Sequence, residues 1–414
     1  VVGGGISGMA AARSLARQGY ETHIVEKDSQ LGGQARKIYR TASGDSVPQK
    51  LAGLVDEIQK NKKIHVHLDT EIKKVDGFVG SFETTLAVNG NEEVLEHGVA
   101  VMATGASPYQ PDEYQYGKDP RILTSLELDR KFIENDAALK DLNTAVFIQC
   151  VGSREPQRPY CSRVCCTHSV DNAMELKKLN PEMNVFVLYR EMRTYGEREE
   201  LYKQAREAGV IFIRFSLEDK PEVLSKDGKL FVKVTDHVIG RPLEIEPDLI
   251  SLATAIVPNK VENLATFFKV PLNEDGFFVE RHAKLGPVEF ATDGVFLCGM
   301  AHYPKPIDES IAQGQAAASQ AVALLARKTI FTSGTIAETD PMLCSECGVC
   351  VSVCPYSAPS FTEEGPFAGR AQINPVLCKG CGLCVASCRS GAIHLKGFDN
   401  DQIFAQIFSL SEAV

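Results

Sequence analysis

The chain has 414 residues, enough for two or three domains with full cores. Apolar residues make up 44% and charged residues 24%, near the averages of soluble globular proteins, and no run approaches the eighteen or so apolar residues of a membrane span. A net charge of −10 argues against a nucleic-acid binder, whose footprint is a basic face.

The chain opens on Val1-Val2, already inside a glycine motif, so the start of its first strand is expected to lie outside it, and no charged-then-apolar leader is read. "VVGGGISGMAAARSLARQGYETHIVEKDSQLGG" reads strand, tight turn, helix, strand. Gly3, Gly5 and Gly8 fit G-x-G-x-x-G: the first for the turn, the second for close approach of a pyrophosphate, the third for helix against strand. The helix that follows aims its amides and positive dipole end at the phosphates. Glu26 follows the strand 21–25, eighteen residues after Gly8, where a carboxylate can accept from ribose hydroxyls. This fingerprint does not separate NAD from FAD, since both carry an adenosine diphosphate.

Three further segments bear on that choice. Gly32-Gly33 stand in "EKDSQLGGQ", Ala103-Thr104-Gly105 end an apolar strand in "VAVMATGASP", and Gly299 lies between a strand and an alanine-rich helix in "ATDGVFLCGMAHYPKPIDESIAQGQAAASQAV". Together they resemble the split FAD domain of the thioredoxin-reductase-like flavoproteins, which have two dinucleotide-type folds. The resemblance implies an FAD site of Gly3, Gly5, Gly8, Glu26, Lys27, Gly32, Gly33, Gln34, Ile72, Ala103, Thr104, Gly105, Gly299, Met300 and Gln313. Met300 stands where that class has an Asp near the flavin's ribityl and phosphate region. Lys305, in "YPKPIDES", would hydrogen-bond the reduced ring or merely sit on a loop.

Between the FAD segments, 1–140 and 251–327, lies an insert at 141–250 with the strand–helix alternation of a second nucleotide-binding domain. Its glycine loop is missing; "QCVGSREPQRPYCSRVCC" stands there instead, so NAD(P)H binding is not expected. The insert has no C-x-x-C, so thioredoxin-type disulfide chemistry is not expected either. Cys150 ends a strand, and Cys161, Cys165 and the adjacent Cys166 crowd the following turn, as buried thiols or as a metal site. His168 is read as a turn histidine or a cap on that site, and the lone Cys298 as a small core residue.

A linker at 328–340 leads to a module at 341–398. "CSECGVCVSVCP" and "CKGCGLCVASC" both read C-x2-C-x2-C-x3-C, the run for two 4Fe-4S clusters in which each fourth Cys serves the other cluster. One cluster would take Cys344, Cys347, Cys350 and Cys388, the other Cys378, Cys381, Cys384 and Cys354. Gly348 and Gly382 let the loops fold around a cubane; zinc is the competing metal, though its ribbons use paired C-x2-C knuckles. Arg389 stands where the second Pro would be, and a nearby positive charge would raise a cluster's potential. The tail, 399–414, is read as a helix with Ile403, Phe404, Ile407 and Phe408 on one face, packed on this module or, as the sharper reading, docking a partner. Thirteen cysteines, eight of them in the two runs, suit metal binding in a reducing cytoplasm rather than a secreted disulfide scaffold.

The expected fold class is therefore α/β: two Rossmann-like domains of thioredoxin-reductase type plus a small α+β bacterial-type ferredoxin domain. The motifs "VVGGGISGMAAA", "QCVGSRE", "YCSRVCC", "YREMRTYG", "GPVEFATDGVFLCG", the two cysteine runs and "GFDNDQIFAQI" resemble the A subunit of heterodisulfide reductase. The resemblance implies a third 4Fe-4S cluster on Cys150, Cys161, Cys165 and Cys166 near FAD. It further implies a homodimeric core in a complex with heterodisulfide reductase B/C-like subunits and a hydrogenase or formate dehydrogenase-type input subunit. Flavin-based electron bifurcation toward ferredoxin and a disulfide-type acceptor would follow. The competing functions are a non-bifurcating relay, an NAD(P)H-dependent reductase like the glutamate synthase small subunit, and a non-catalytic assembly subunit.

Overall fold

The structure is a computed structural model and describes residues 1–88, 90–329 and 335–411. Part of the expected linker, 330–334, and the end of the tail, 412–414, lie outside the described residues. The first layer is a parallel sheet in which Ile64–His67, Thr22–Val25, a bridge at Val2, Ala100–Met102 and Val295–Leu297 follow one another. Helix Ile6–Arg17 packs on it beside helix Ile307–Leu325, and their alanines (Ala11, Ala317, Ala318, Ala321) are fully buried. Small residues permit this approach: a Cβ on Gly314 would meet the Ser7 carbonyl oxygen at 2.5 Å. An antiparallel sheet, Thr70–Phe78, Ser81–Val88 and Asn91–His97, adds to this domain and packs Phe82 into its core.

The insert holds a second, all-parallel sheet in the order Ile211–Arg214, Asn184–Tyr189, Thr144–Val151, Leu249–Thr254, Ile122–Thr124. It runs wider than 141–250, because Ile122–Thr124 forms its edge and Leu249–Thr254 continues past residue 250. One core joins this sheet to helices Ser125–Ile133, Cys165–Leu179 and Arg198–Glu207; another joins it to an antiparallel sheet of Glu222–Lys226, Lys229–Asp236 and Arg241–Ile245. The chain enters and leaves the insert along one ribbon, Ala106–Pro108 paired antiparallel with Ile256–Pro258.

The third unit pairs Ala337–Thr339 with Ile393–Leu395 and Pro359–Phe361 with Ala371–Ile373, and carries helices Val349–Val353 and Leu383–Ser387. Both short helices start from a left-handed glycine, Gly348 at φ 73° and Gly382 at φ 75°, a conformation that costs other residues. The tail helix runs Asn400–Ser411. Its Ile403, Phe404 and Ile407 are exposed, which corrects the expectation that this face packs on the module. Among the described residues no helix is long and apolar enough to cross a membrane.

Candidate functional site

A cleft of about 1480 Å³ runs along the carboxyl ends of the first sheet, above the roughly 300–1,000 Å³ of pockets for drug-sized ligands. Gly3, Gly5, Glu26, Lys27, Gly32, Gly33, Gln34, Ile72, Ala103, Thr104, Gly105, Met300 and Lys305 all line it. Gly8, Gly299 and Gln313 do not, and act from behind. A Cβ on Gly8 would stand 2.0 Å from the Gly3 carbonyl oxygen, so only glycine lets the helix meet the turn. Gly5 has nothing within 4 Å of its Cβ position, so a side chain there would fill the cleft instead. The Glu26 carboxylate is fixed by the Gly4 amide at 2.7 Å and the Asp28 amide at 2.9 Å. Gln34 Oε1 and Thr104 Oγ1 are buried without a protein partner, which asks for a ligand or ordered water. These features fit a dinucleotide, which the glycine turn and Glu26 would hold.

Lys305 is 3% exposed. Its Nζ donates to the Gly299 carbonyl at 2.5 Å and the Tyr303 carbonyl at 3.1 Å, and lies 3.9 Å from the centre of the Tyr303 ring. Burial pushes its pKa down to about 7. Gln313 braces the same turn: its Oε1 accepts from Gly299 N at 3.0 Å and its Nε2 donates to His302 Nδ1 at 2.8 Å.

Of the insert's four cysteines, Cys165 lines this cleft. Cys150 takes a left-handed conformation (φ 61°), as do Arg154 (φ 59°) and Arg163 (φ 59°), so the chain turns back sharply around the site. Cys165 and Cys166 open helix Cys165–Leu179 rather than sit on the turn, because the helix starts earlier than the sequence pattern indicates. Burial raises the Cys165 thiol well above its ordinary range, and the neighbouring Cys166, Cys150 and Cys161 raise it further. Burial pushes Cys166 up to about 11; a backbone hydrogen bond at Arg193 opposes this, and Cys150 and Cys161 add to it. The four sulfurs thus share one neighbourhood. Flanking them, Gln149, Thr167, Arg154 and Arg190 bury polar atoms without partners, the surroundings a sulfide-bearing group would satisfy. Cys165 lines the cleft itself.

In the ferredoxin module the thiols act on one another's titration. Burial pushes Cys384 up to about 11, followed by the charges of Cys354, Cys378 and Cys381; Cys350 is raised by burial and then by Cys344 and Cys347. Among the described residues no three His, Cys, Asp or Glu side chains converge on a single metal-ion position. A cubane takes one thiolate at each iron and needs no such convergence. Cys298 is fully buried in the first domain's core. His168 turns away from the thiols, its Nε2 2.8 Å from the buried Asp129.

A family model described as an NAD(P)-binding Rossmann-like domain matches residues 1–50, and a 4Fe-4S dicluster domain matches residues 336–400. The iron-sulfur A subunit of the CoB–CoM heterodisulfide reductase of Methanocaldococcus jannaschii is 30% identical over 100% of this chain and 77% of its own length. The A subunit of the H(2):CoB-CoM heterodisulfide,ferredoxin reductase of Methanothermobacter marburgensis is 31% identical over 98% of this chain and 75% of its own. The chain belongs to the heterodisulfide reductase A-subunit family. As a member of that family it is an FAD-dependent iron–sulfur oxidoreductase subunit. Thioredoxin reductases of T. acidophilum (TM-score 0.54, 16% identity, 79% of this chain and 97% of theirs) and Lactococcus lactis (0.55, 17%, 78% and 97%) share the fold of the first two domains.

Sequence reasoning missed the residues that join the heterodisulfide reductase-type insert to the flavin domain. Arg40 Nε donates to both Asp171 carboxylate oxygens at 3.0 and 2.9 Å, and its guanidinium also pairs with Glu175. Arg163 also reaches Glu309 at 3.1 Å and Arg198 reaches Asp308 at 2.6 Å. The motif "YREMRTYG" held one signal, since its Tyr195 hydroxyl bonds Glu309 in this same contact.

Proposed function

We propose that the chain is the flavin-bearing electron hub of a heterodisulfide reductase-type complex, with FAD in the large cleft and three 4Fe-4S clusters. The observation that carries this reading is that Cys165 lines the same cleft as Gly5, Gln34, Thr104 and Lys305, so one of the insert's thiols borders the dinucleotide site. Flavin exchanges two electrons or one, whereas clusters pass one, so a chain holding both can divide an electron pair. Glu26 and the glycine turn would hold the adenosine and pyrophosphate part. Lys305, buried against the Gly299 carbonyl, would hold or release a proton near neutral pH.

The bifurcating form of this function would take a pair from a hydrogenase or formate dehydrogenase-type donor and send one electron to ferredoxin and one to a disulfide-type acceptor; a simple relay is its competitor. The NAD(P)H-reductase reading is disfavoured by the insert itself. A Cβ on Gly152, in the turn where a phosphate loop would lie, would be 2.4 Å from the Tyr109 ring, and the Arg158 guanidinium covers that ring at 4.1 Å. The test is anaerobic purification with flavin, iron and sulfide counts. About twelve irons per chain are expected, and about eight for Cys165→Ser with flavin retained; eight in the unaltered protein would remove the third cluster from the proposal.

A further inference from the structure

The carbonyl that holds Lys305 is the inner end of a longer chain of hydrogen bonds. Lys305 Nζ donates to the Gly299 carbonyl at 2.5 Å, Gly299 N to Gln313 Oε1 at 3.0 Å, Gln313 Nε2 to His302 Nδ1 at 2.8 Å, and His302 Nε2 to Glu280 Oε2 at 2.8 Å. Chemistry fixes the direction of each bond. A backbone N–H only donates, so Gly299 N selects the oxygen of the Gln313 amide and leaves its NH2 to face His302. His302 Nδ1 must then accept, which puts the neutral ring's one proton on Nε2, against the carboxylate. Every donor points the same way, from the ammonium toward Glu280, so the bonds polarise one another.

The surroundings keep this chain in place. His302 is buried; burial, then the charge of Lys305, lowers its pKa against the pull of Glu280, and the ring stays neutral. Gln313 and His302 each pass the effect through one conjugated group. At Gly299 two peptides meet at Cα, and the effect passes by position: φ is 71° and a Cβ would stand 2.2 Å from Ser7 Oγ, so the turn requires glycine. Other charged or titratable groups also act on Lys305. Cys298 is a thiol that burial pushes up to about 12, so it is neutral. Arg163 opposes the ammonium, and Glu309 is matched by Arg163 at 3.1 Å and Arg198 at 3.6 Å. Glu280 has no lysine or arginine partner among the described residues, and its ion pair is with His302. Its charge is the one left to act on Lys305.

We propose that Gln313, His302 and Glu280 are positioning residues that hold the Gly299 carbonyl on Lys305 and keep its ammonium charged beside the flavin. The inference rests on the reading that FAD fills the cleft and that Lys305 holds or releases a proton there. It assigns a role to a carboxylate and an imidazole that stand behind the turn.

The test follows the flavin midpoint potential of the anaerobically purified full chain across neutral pH. A break near pH 7 is expected, where burial has brought Lys305, and Lys305→Met is expected to lack it. Gln313→Leu and Glu280→Gln loosen the hold on the ammonium and are expected to move the break down by about one pH unit, about tenfold in proton affinity. Gln313→Glu sets a carboxylate on the Gly299 amide, with His302 moving its proton to Nδ1, and is expected to move the break up by a similar amount. Gln315→Leu, exposed on the same helix, is expected to leave it in place. Damage to the turn alone would not give opposite shifts for leucine and glutamate at one position. A break unmoved in Gln313→Leu and Glu280→Gln, or moved the same way by both Gln313 variants, overturns the proposal. So does an equal shift in Gln315→Leu. A break that persists in Lys305→Met instead removes Lys305 from the electron-hub reading and this inference with it, and an unaltered chain without flavin marks failure of that reading itself.

Discussion

At the scale of single residues, backbone demands dominate. Gly8 faces the Gly3 carbonyl so closely that Gly8→Ala must push the helix off its turn, at about 1–3 kcal/mol of overpacking. Purified Gly8→Ala is expected to show a lowered melting temperature and little flavin absorbance. Such glycines could be read from the sequence because no other residue meets the local geometry. His97 could not, since its role depends on partners gathered by the sheet. Its Nδ1–H donates to the Val99 carbonyl at 2.9 Å and its Nε2 accepts from the Thr84 hydroxyl at 2.7 Å, an arrangement that needs the neutral ring. Burial pushes its pKa down to about 4. Between pH 6.5 and 4 the unfolded chain therefore binds the proton that the folded one refuses. Stability is complete above pH 6.5 and falls by about 2–3 kcal/mol on acidification to pH 4; His97→Gln is expected to flatten that part of a melting-temperature profile.

At the scale of elements, the two four-cysteine runs were legible as loops because their spacing encodes a cubane whatever surrounds it. The insert's cysteines were only partly so. Nothing in "YCSRVCC" announces that helix Cys165–Leu179 begins at the first of the paired cysteines, or that Cys150 adopts φ 61° in the strand Thr144–Val151. Both follow from tertiary ties: Arg190 donates to the Ser153 and Arg154 carbonyls at 2.7 and 2.9 Å, and Ser162 Oγ accepts from Ile256 N at 2.9 Å. The tail helix shows the opposite failure, since its apolar stripe was legible while its exposure was not.

At the scale of the molecule, the domain order was readable and the contacts between domains were not, because Arg40 and Asp171 stand 131 residues apart. The Asp171 carboxyl is raised by burial, which the Arg40 hydrogen bond and charge oppose. Arg40→Ala removes that opposition and strands a buried acid, at about 3–5 kcal/mol when it is ionised. The acid can escape by taking a proton, so the loss is expected to be larger at pH 8 than at pH 5 when unfolding by urea is compared at the two values.

The ribbon that joins Ala106–Pro108 to Ile256–Pro258 sets the two ends of the insert side by side, with Ile256 opposite Pro108. A tight turn could bridge that gap without stretching either strand. The middle domain is therefore a cassette on a double stalk, whose interior loops can change without shifting the register of the surrounding nucleotide fold.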